Sequence, residues 1–152
     1  MKISLAAYFD EDVLLRTELS LTPTTELQVF GAPPTDMEER LRLWWLAYWN
    51  HSPLPYLNLR FDWRGLTPFT RQVLAALQKI PVGEAMSYGD LASLLGRPQA
   101  SRAVGSACGR NPFPLLVPCH RILKKPNFLG GFSCGLEFKR LLLEHEEIAY
   151  LP

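Results

Sequence analysis

Cysteine and histidine are scarce in this chain, three of each among 152 residues. The cysteines, Cys108, Cys119 and Cys134, are odd in number and confined to the second half, which argues against a disulfide framework. No C-x-x-C pair occurs and the first half offers only His51, so no zinc site of recognisable spacing exists and neither metal nor cofactor is expected. Long hydrophobic runs are missing as well. None approaches the roughly 20 residues that a membrane helix needs. The opening "MKISLAAYFDEDV" meets acidic residues too early for a secretory signal. A cytoplasmic protein without membrane attachment is the expectation.

Acidic residues are lacking in one long stretch. From Leu91 to Leu136 there is none, while Arg97, Arg102, Arg110, Arg121, Lys124 and Lys125 lie there. Residues 1–50 are the reverse, with eight acids against four bases. The net charge of +1 therefore conceals a polar distribution. The basic stretch is either a solvated face or an electrostatic footprint for a phosphate backbone.

What is present is an ordinary globular composition, 47% apolar and 20% charged, enough for one domain or two small ones. "KISLAAYF" and "VLLRTELSL", separated by "DED", predict a β-hairpin, and "TELQVFG" offers a third strand. "TDMEERLRLWWLAYWN" predicts a helix opened by a Thr35–Glu38 capping box, with Trp44, Trp45 and Trp49 packed in a core. "HSPLPYLNLRFDWRG" is proline-rich and irregular and reads as a linker. The expected organisation is a small α/β domain over 1–66 and a mainly helical domain over 67–152.

In the second domain, Thr67 and Pro68 open a helix whose Phe69, Val73, Leu77 and Ile80 share a face. "SYGDLASLLG" has Ser87 and Asp90 at capping spacing, Leu91, Leu94 and Leu95 on the buried side, and Gly96 as a stop. "QASRAVGSACGRN" is a second short helix, with Ala100, Val104, Ala107 and Cys108 at helical spacing. The pair predicts a helix-turn-helix. Ala103, Gly105, Ser106 and Ala107 leave the second helix with little bulk, although glycine inside a helix costs about 1 kcal/mol relative to alanine. Something must come close to this backbone, whether another helix or a ligand. "LEFKRLLLEHEEI" predicts a final helix.

Between these helices stands "LLVPCHRIL", in which Cys119 and His120 adjoin behind an apolar run. A free thiol, with a pKa of about 8.5, needs a base to become a nucleophile, and the base needs an orienting group. Neighbours on an extended segment face opposite ways, so a proton path between Cys119 and His120 requires a turn or a water. Glu144, Glu146 and Glu147 are the carboxylates available to hold the imidazole. By themselves the two residues read first as a small buried thiol and a satisfied polar neighbour.

"NPFPLLVPCHRIL" resembles the Pro-Cys-His-Arg signature of the O6-alkylguanine-DNA alkyltransferases. "SYGDLASLLG", "SRAVGSACGRNP" and "GGFSCGLEFKRLLLEHE" resemble, in order and spacing, that family's helix-turn-helix, its recognition helix, and its glycine-serine loop with closing helix. The resemblance covers about residues 67–147; residues 1–66 match only in general character. It implies DNA repair by direct reversal. The monomeric protein would bind double-stranded DNA through the minor groove without sequence preference, flip an O6-alkylguanine, and move the alkyl group irreversibly to Cys119, each molecule acting once. In a prokaryotic cell it would work at the nucleoid.

Residue roles follow from the same resemblance. His120, through a water, and Glu146 form the relay that generates the Cys119 thiolate, and Tyr88 or a neighbouring donor protonates the leaving guanine. Arg102 is the finger that replaces the extruded base, on a helix whose Ala103, Gly105 and Ser106 approach the groove. Asn111 is the hinge, and Pro114, Ile122 and Ser133 complete the pocket. Arg121 braces the loop. Phe132 stands where many relatives have tyrosine, Cys108 reads as packing, and Cys134 adjoins the pocket loop. Three rivals remain: an alkyltransferase-like protein that binds alkylguanine without repairing it, a sequence-specific helix-turn-helix regulator, and a cysteine hydrolase. The first lacks the acceptor cysteine that this chain retains. The second would want base-reading side chains that "SRAVGSACG" lacks, and the third an oxyanion loop.

Overall fold

A computed structural model describes residues 1–152 and divides them into two compact units, Met1–Asp62 and Trp63–Pro152. Helices and strands are mixed in an α/β arrangement, with the long strands in the first unit and most helices in the second. No helix is long and apolar enough to cross a membrane.

In the first unit β1 (Lys2–Asp10) and β2 (Val13–Thr22) form the hairpin, and Glu11 takes the left-handed conformation at its turn. Alternation decides which face is buried: Ile3, Leu5, Ala7 and Phe9 point inward along β1. The third strand, β3 (Leu27–Phe30), pairs parallel to β1. The segment read as a linker supplies β4 (Arg60–Phe61), which pairs parallel to β2 at Val13 and Leu14. The sheet order is β3-β1-β2-β4. An edge strand leaves backbone groups open for pairing, so two residues of otherwise irregular chain suffice to close this one.

Helix α1 (Thr35–Trp49) buries Leu41, Trp44, Trp45 and Tyr48, and its tryptophans pack with other rings, as Trp44 stacks on Tyr48 at 5.2 Å. The Thr35–Glu38 capping box does not form. Pro34 occupies the cap and its carbonyl accepts from the Met37 and Glu38 amides, which puts Thr35 inside the first turn, where its hydroxyl no longer caps.

The second unit opens with α2 (Pro68–Leu77), whose Thr67 cap accepts from the Thr70 amide at 3.2 Å. Its buried face is Thr70, Val73, Leu74 and Leu77; Phe69 is only half-buried and lies under the Arg97 guanidinium at 5.1 Å. After β5 (Met86–Ser87) comes α3 (Tyr88–Leu94), where the Ser87 hydroxyl accepts from the Asp90 amide at 3.0 Å. Leu91 and Ala92 are buried, but Leu94 is 66% exposed because seven residues make barely two turns and Leu94 falls on the outer side. Gly96, at φ +76°, ends the helix in a conformation that disfavours side chains. Helix α4 (Ser101–Gly109) packs on α2 and α3 through Val104, Ala107 and Cys108, completing the helix-turn-helix. A single 3-10 turn at Cys119–Arg121 leads into β6 (Ile122–Leu123), which pairs parallel to β5, and α5 (Leu136–His145) closes the unit.

Candidate active site

The segment leaving α4 is held by one amide. Asn111, buried, donates from Nδ2 to the Val117 carbonyl at 2.8 Å and towards Cys119 Sγ at 3.2 Å, while its Oδ1 accepts from the Phe113 amide at 2.9 Å. Only a side chain with both donors and an acceptor can close that set. Within the loop, Leu115 is 1% exposed and sits at φ +73°, a region that costs a non-glycine residue about 1–3 kcal/mol. Such strain persists where surrounding contacts fix it. In the same loop Phe113 is fully buried and edge-on to Trp63 at 5.5 Å.

The Cys119–Arg121 turn rotates successive side chains to different partners. Cys119 Sγ faces Asn111, and His120 Nε2 pairs with Glu146 Oε1 at 2.8 Å. Arg121 reaches Glu146 in a two-pronged contact, Nε to Oε2 at 2.8 Å and Nη2 to Oε1 at 2.9 Å, and its Nη1 donates to the Ile80 carbonyl. Of the three acids considered, Glu146 is the one brought to His120. It caps the C-terminus of α5, and Glu147 at φ +58° reverses the chain behind it. A carboxylate at a helix C-terminus opposes the helix dipole. The guanidinium and imidazole outweigh that: burial pushes the Glu146 carboxyl up, yet its bonds to His120 and Arg121 hold it well below the usual carboxylate range.

The other two ionisable groups lean towards neutrality. Burial pushes the Cys119 thiol up to about 11, against the hydrogen bond from Asn111. Burial also lowers His120 in spite of Glu146, so the imidazole is an unprotonated base, and its Nδ1 has no hydrogen-bond partner. At rest this is a thiol beside a free base.

Cys119 opens into a cavity of about 320 Å³. Tyr88, at the start of α3, forms one side, Gly105, Cys108 and Gly109 of α4 another, and Gly131, Phe132 and Ser133 the loop side. The Tyr88 ring is confined between two glycines. A Cβ at Gly105 would lie 3.7 Å from it, and one at Gly130 would lie 3.3 Å from both its ring and its hydroxyl. Burial pushes the phenol up to about 12, so it is a proton donor at neutral pH. Arg102, Ala103 and Ser106 lie exposed along α4. Pro114 and Ile122 are buried and do not line the cavity. Proline and the first residue of a strand are packed inward here, so the pocket wall falls to α4 and the glycine loop instead.

Two participants escaped the sequence reading. Cys108, read as packing, borders the cavity while only 7% exposed. Lys139 is fully buried, donating from Nζ to the carbonyls of Ile122 at 2.7 Å and Gly131 at 3.0 Å, and lies 5.9 Å from the centre of the Tyr88 ring. A signal existed: Lys139, Leu142, Leu143 and Glu146 recur at i, i+3, i+4 and i+7, so both charges fall on the apolar stripe of α5. Burial lowers the ammonium to about 8. Lys139 ties α5 to the active-site turn and to the loop at once. Lys139→Met is expected to cost about 1–3 kcal/mol by leaving two carbonyls without their donor, and to slow any chemistry that needs the loop in place. Urea unfolding measures the first effect, and unchanged stability would show the tie to be idle.

The family described as 6-O-methylguanine DNA methyltransferase, DNA binding domain, matches residues 68–148. The chain is 51% identical over 82 residues to a methylated-DNA–protein-cysteine methyltransferase of Salmonella typhimurium, covering 54% of this chain and 48% of that one. It is 42% identical over 113 residues to one of Haemophilus influenzae, covering 74% and 63%. It thus spans about half to two thirds of the length of these curated relatives. In three dimensions it is similar to Mycobacterium tuberculosis OGT, solved in complex with DNA, with a TM-score of 0.69, 32% identity, and 95% of this chain and 92% of that one covered. Family match, identity and shared fold converge: the chain belongs to the 6-O-methylguanine DNA methyltransferase family.

Proposed function

We propose that this protein repairs DNA by direct reversal, taking the alkyl group of O6-alkylguanine onto Cys119 and keeping it. The observation that carries the reading is a thiol at a pocket, oriented by Asn111 and followed at once by an unprotonated histidine bonded to a buried glutamate. Relatives named methylated-DNA–protein-cysteine methyltransferases, and a neighbour solved with DNA, support the substrate.

The chemistry balances without a cofactor. The Cys119 proton passes through a water to His120, whose Nδ1 is the unpaired nitrogen and whose positive charge Glu146 then offsets. The sulfur attacks the alkyl carbon, an S–C bond forms as the C–O bond breaks, and guanine departs with the electron pair. The phenol of Tyr88 passes a proton to it and is reprotonated in turn by the proton that His120 took from Cys119, relayed through solvent, so both side chains end as they began. The thioether has no hydrolytic exit, so one molecule removes one group. A base stacked in a duplex cannot reach Cys119, and extrusion costs a few kcal/mol, least for a damaged pair. Arg102, exposed on α4, fills the gap left behind, and the low surface of Ala103, Gly105 and Ser106 lets that helix approach the minor groove. Asn111 keeps the loop joined to α4, and Ser133 faces the base from the loop. Residues 67–152 carry this activity, in a monomer working where the cell keeps its DNA. Residues 1–66 lend stability.

Incubation with a duplex bearing one labelled O6-methylguanine should yield one methyl group per protein, mapped by mass spectrometry to Cys119. Binding with no adduct would instead point to an alkylguanine sensor. Arg102→Ala should slow transfer from duplex at least about tenfold more than transfer from free benzylguanine, since each 1.4 kcal/mol of extrusion cost is about a factor of ten. Equal losses on both substrates would remove Arg102 from the flipping step.

A further inference from the structure

Three free thiols gather around one cavity, and alkyl transfer uses only one of them. Cys119 and Cys108 border the cavity directly. Cys134 follows Ser133, which lines the loop side and whose side chain hydrogen-bonds to it. A charge on Cys134 would be felt at Cys119, so the two sulfurs are near neighbours across the loop side of the site. Cys108 and Cys134 differ in what carries them. Cys108 is 7% exposed on the packed face of α4, with Val104 and Ala107, and cannot advance without moving the helix. Cys134 is half-buried on a loop that runs from Gly130 to Gly135, at φ +68° and +111°. Both ends of that loop are thus free of the side chain that would fix their backbone, and a Cβ built at Gly131 would meet nothing within 4 Å. A disulfide needs its two Cα atoms about 4.4–6.8 Å apart, an approach that a loop with glycine ends can make and a packed helix cannot.

We propose that Cys134 is a resolving thiol for Cys119: a hydroperoxide entering the cavity oxidises Cys119, and Cys134 then closes a reversible disulfide that keeps the acceptor sulfur recoverable. The inference rests on the alkyl-transfer reading above, because the same His120 prepares the sulfur. His120 takes the Cys119 proton, and the sulfur attacks one peroxide oxygen. An S–O bond forms as the O–O bond breaks, and the departing oxygen leaves as an alcohol or water with the proton that His120 held. The Cys134 sulfur then attacks the sulfenic sulfur of Cys119. The S–S bond forms, the S–O bond breaks, and the hydroxide leaves as water with the Cys134 proton. Two thiols give up two electrons and the peroxide gains them. Without a resolving thiol, the sulfenic acid remains open to the irreversible sulfinic and sulfonic acids.

The test treats the full chain with hydrogen peroxide in the absence of DNA and maps unreduced digests by mass spectrometry. The wild-type protein should yield a linked Cys119–Cys134 peptide and lose methyl transfer in step with it, and a dithiol should restore both thiols and the transfer. Cys108→Ser should form the same link. Cys134→Ser, measured against its own untreated rate, should form no link to Cys119. After prolonged peroxide its recovery by dithiol should be lower than that of the wild type by about threefold or more, as Cys119 runs on to the irreversible acids. A Cys119–Cys108 link, no link in the peroxide-treated wild type, or equal recovery with and without Cys134 overturns the proposal and leaves the repair reading intact. Failure of the untreated wild type to transfer methyl overturns the repair reading alone, and the linked peptide still decides the proposal.

Discussion

Cys119→Ala is expected to abolish alkyl transfer completely while leaving DNA binding within a few-fold of the wild type. Neither of the other thiols can take over. Cys108 is buried and held protonated, and Cys134 is half-buried and also pushed up by burial, beside Ser133. Neither is followed by a histidine–glutamate pair. The substitution removes one sulfur atom from a loop that Asn111 still anchors through Val117 and Phe113, so the pocket should persist. Gel-shift affinity and mass spectrometry on the same sample separate the two effects. Label on Cys108 or Cys134 in this variant would mean that the wrong thiol has been identified.

Glu146→Gln should produce the largest loss of stability of any conservative change in the second unit, about 3–5 kcal/mol at neutral pH. The carboxylate holds both His120 and Arg121, all three buried, and the amide would leave a guanidinium without its counter-charge. Transfer should fall with it, since an unheld imidazole is neither oriented nor compensated once protonated. The pH dependence has a definite sign. Because the folded state lowers the Glu146 pKa from 4.5, its stabilisation is complete above that value and is lost as pH falls towards the folded one. His120 is also lowered, from 6.5, so below that pH protonation favours the unfolded chain. The wild-type protein should therefore lose stability in two stages on acidification, and the gap between it and Glu146→Gln should close only in the lower one. Urea midpoints across pH 3–8 measure this. A gap that does not vary with pH would contradict an ionised Glu146.

Much of this was readable from the chain because its signals are local. The hairpin follows from alternation, and the starts of α2 and α3 from Thr67–Pro68 and Ser87, whose bonds involve residues three apart. The capping reading failed at Thr35 because Pro34 competes for the same role one residue earlier, and both are plausible helix starts. Leu94 was misassigned because periodicity over seven residues scarcely distinguishes inner from outer positions. β4 was invisible because two residues carry no pattern, and their pairing with β2 is made across about 47 positions of chain.

The sequence by itself determined that a thiol and an imidazole adjoin, and which helices surround them, since "PCHR" and the capping residues act through their immediate neighbours. It could not choose among Glu144, Glu146 and Glu147, nor tell that Lys139 is buried or that Cys108 borders a cavity. Those outcomes depend on how α5, α4 and the Cys119 turn meet in space. Hydrogen bonds between residues 17 to 26 positions apart, and the shape of an empty volume, are properties of packing, which no short window of residues contains.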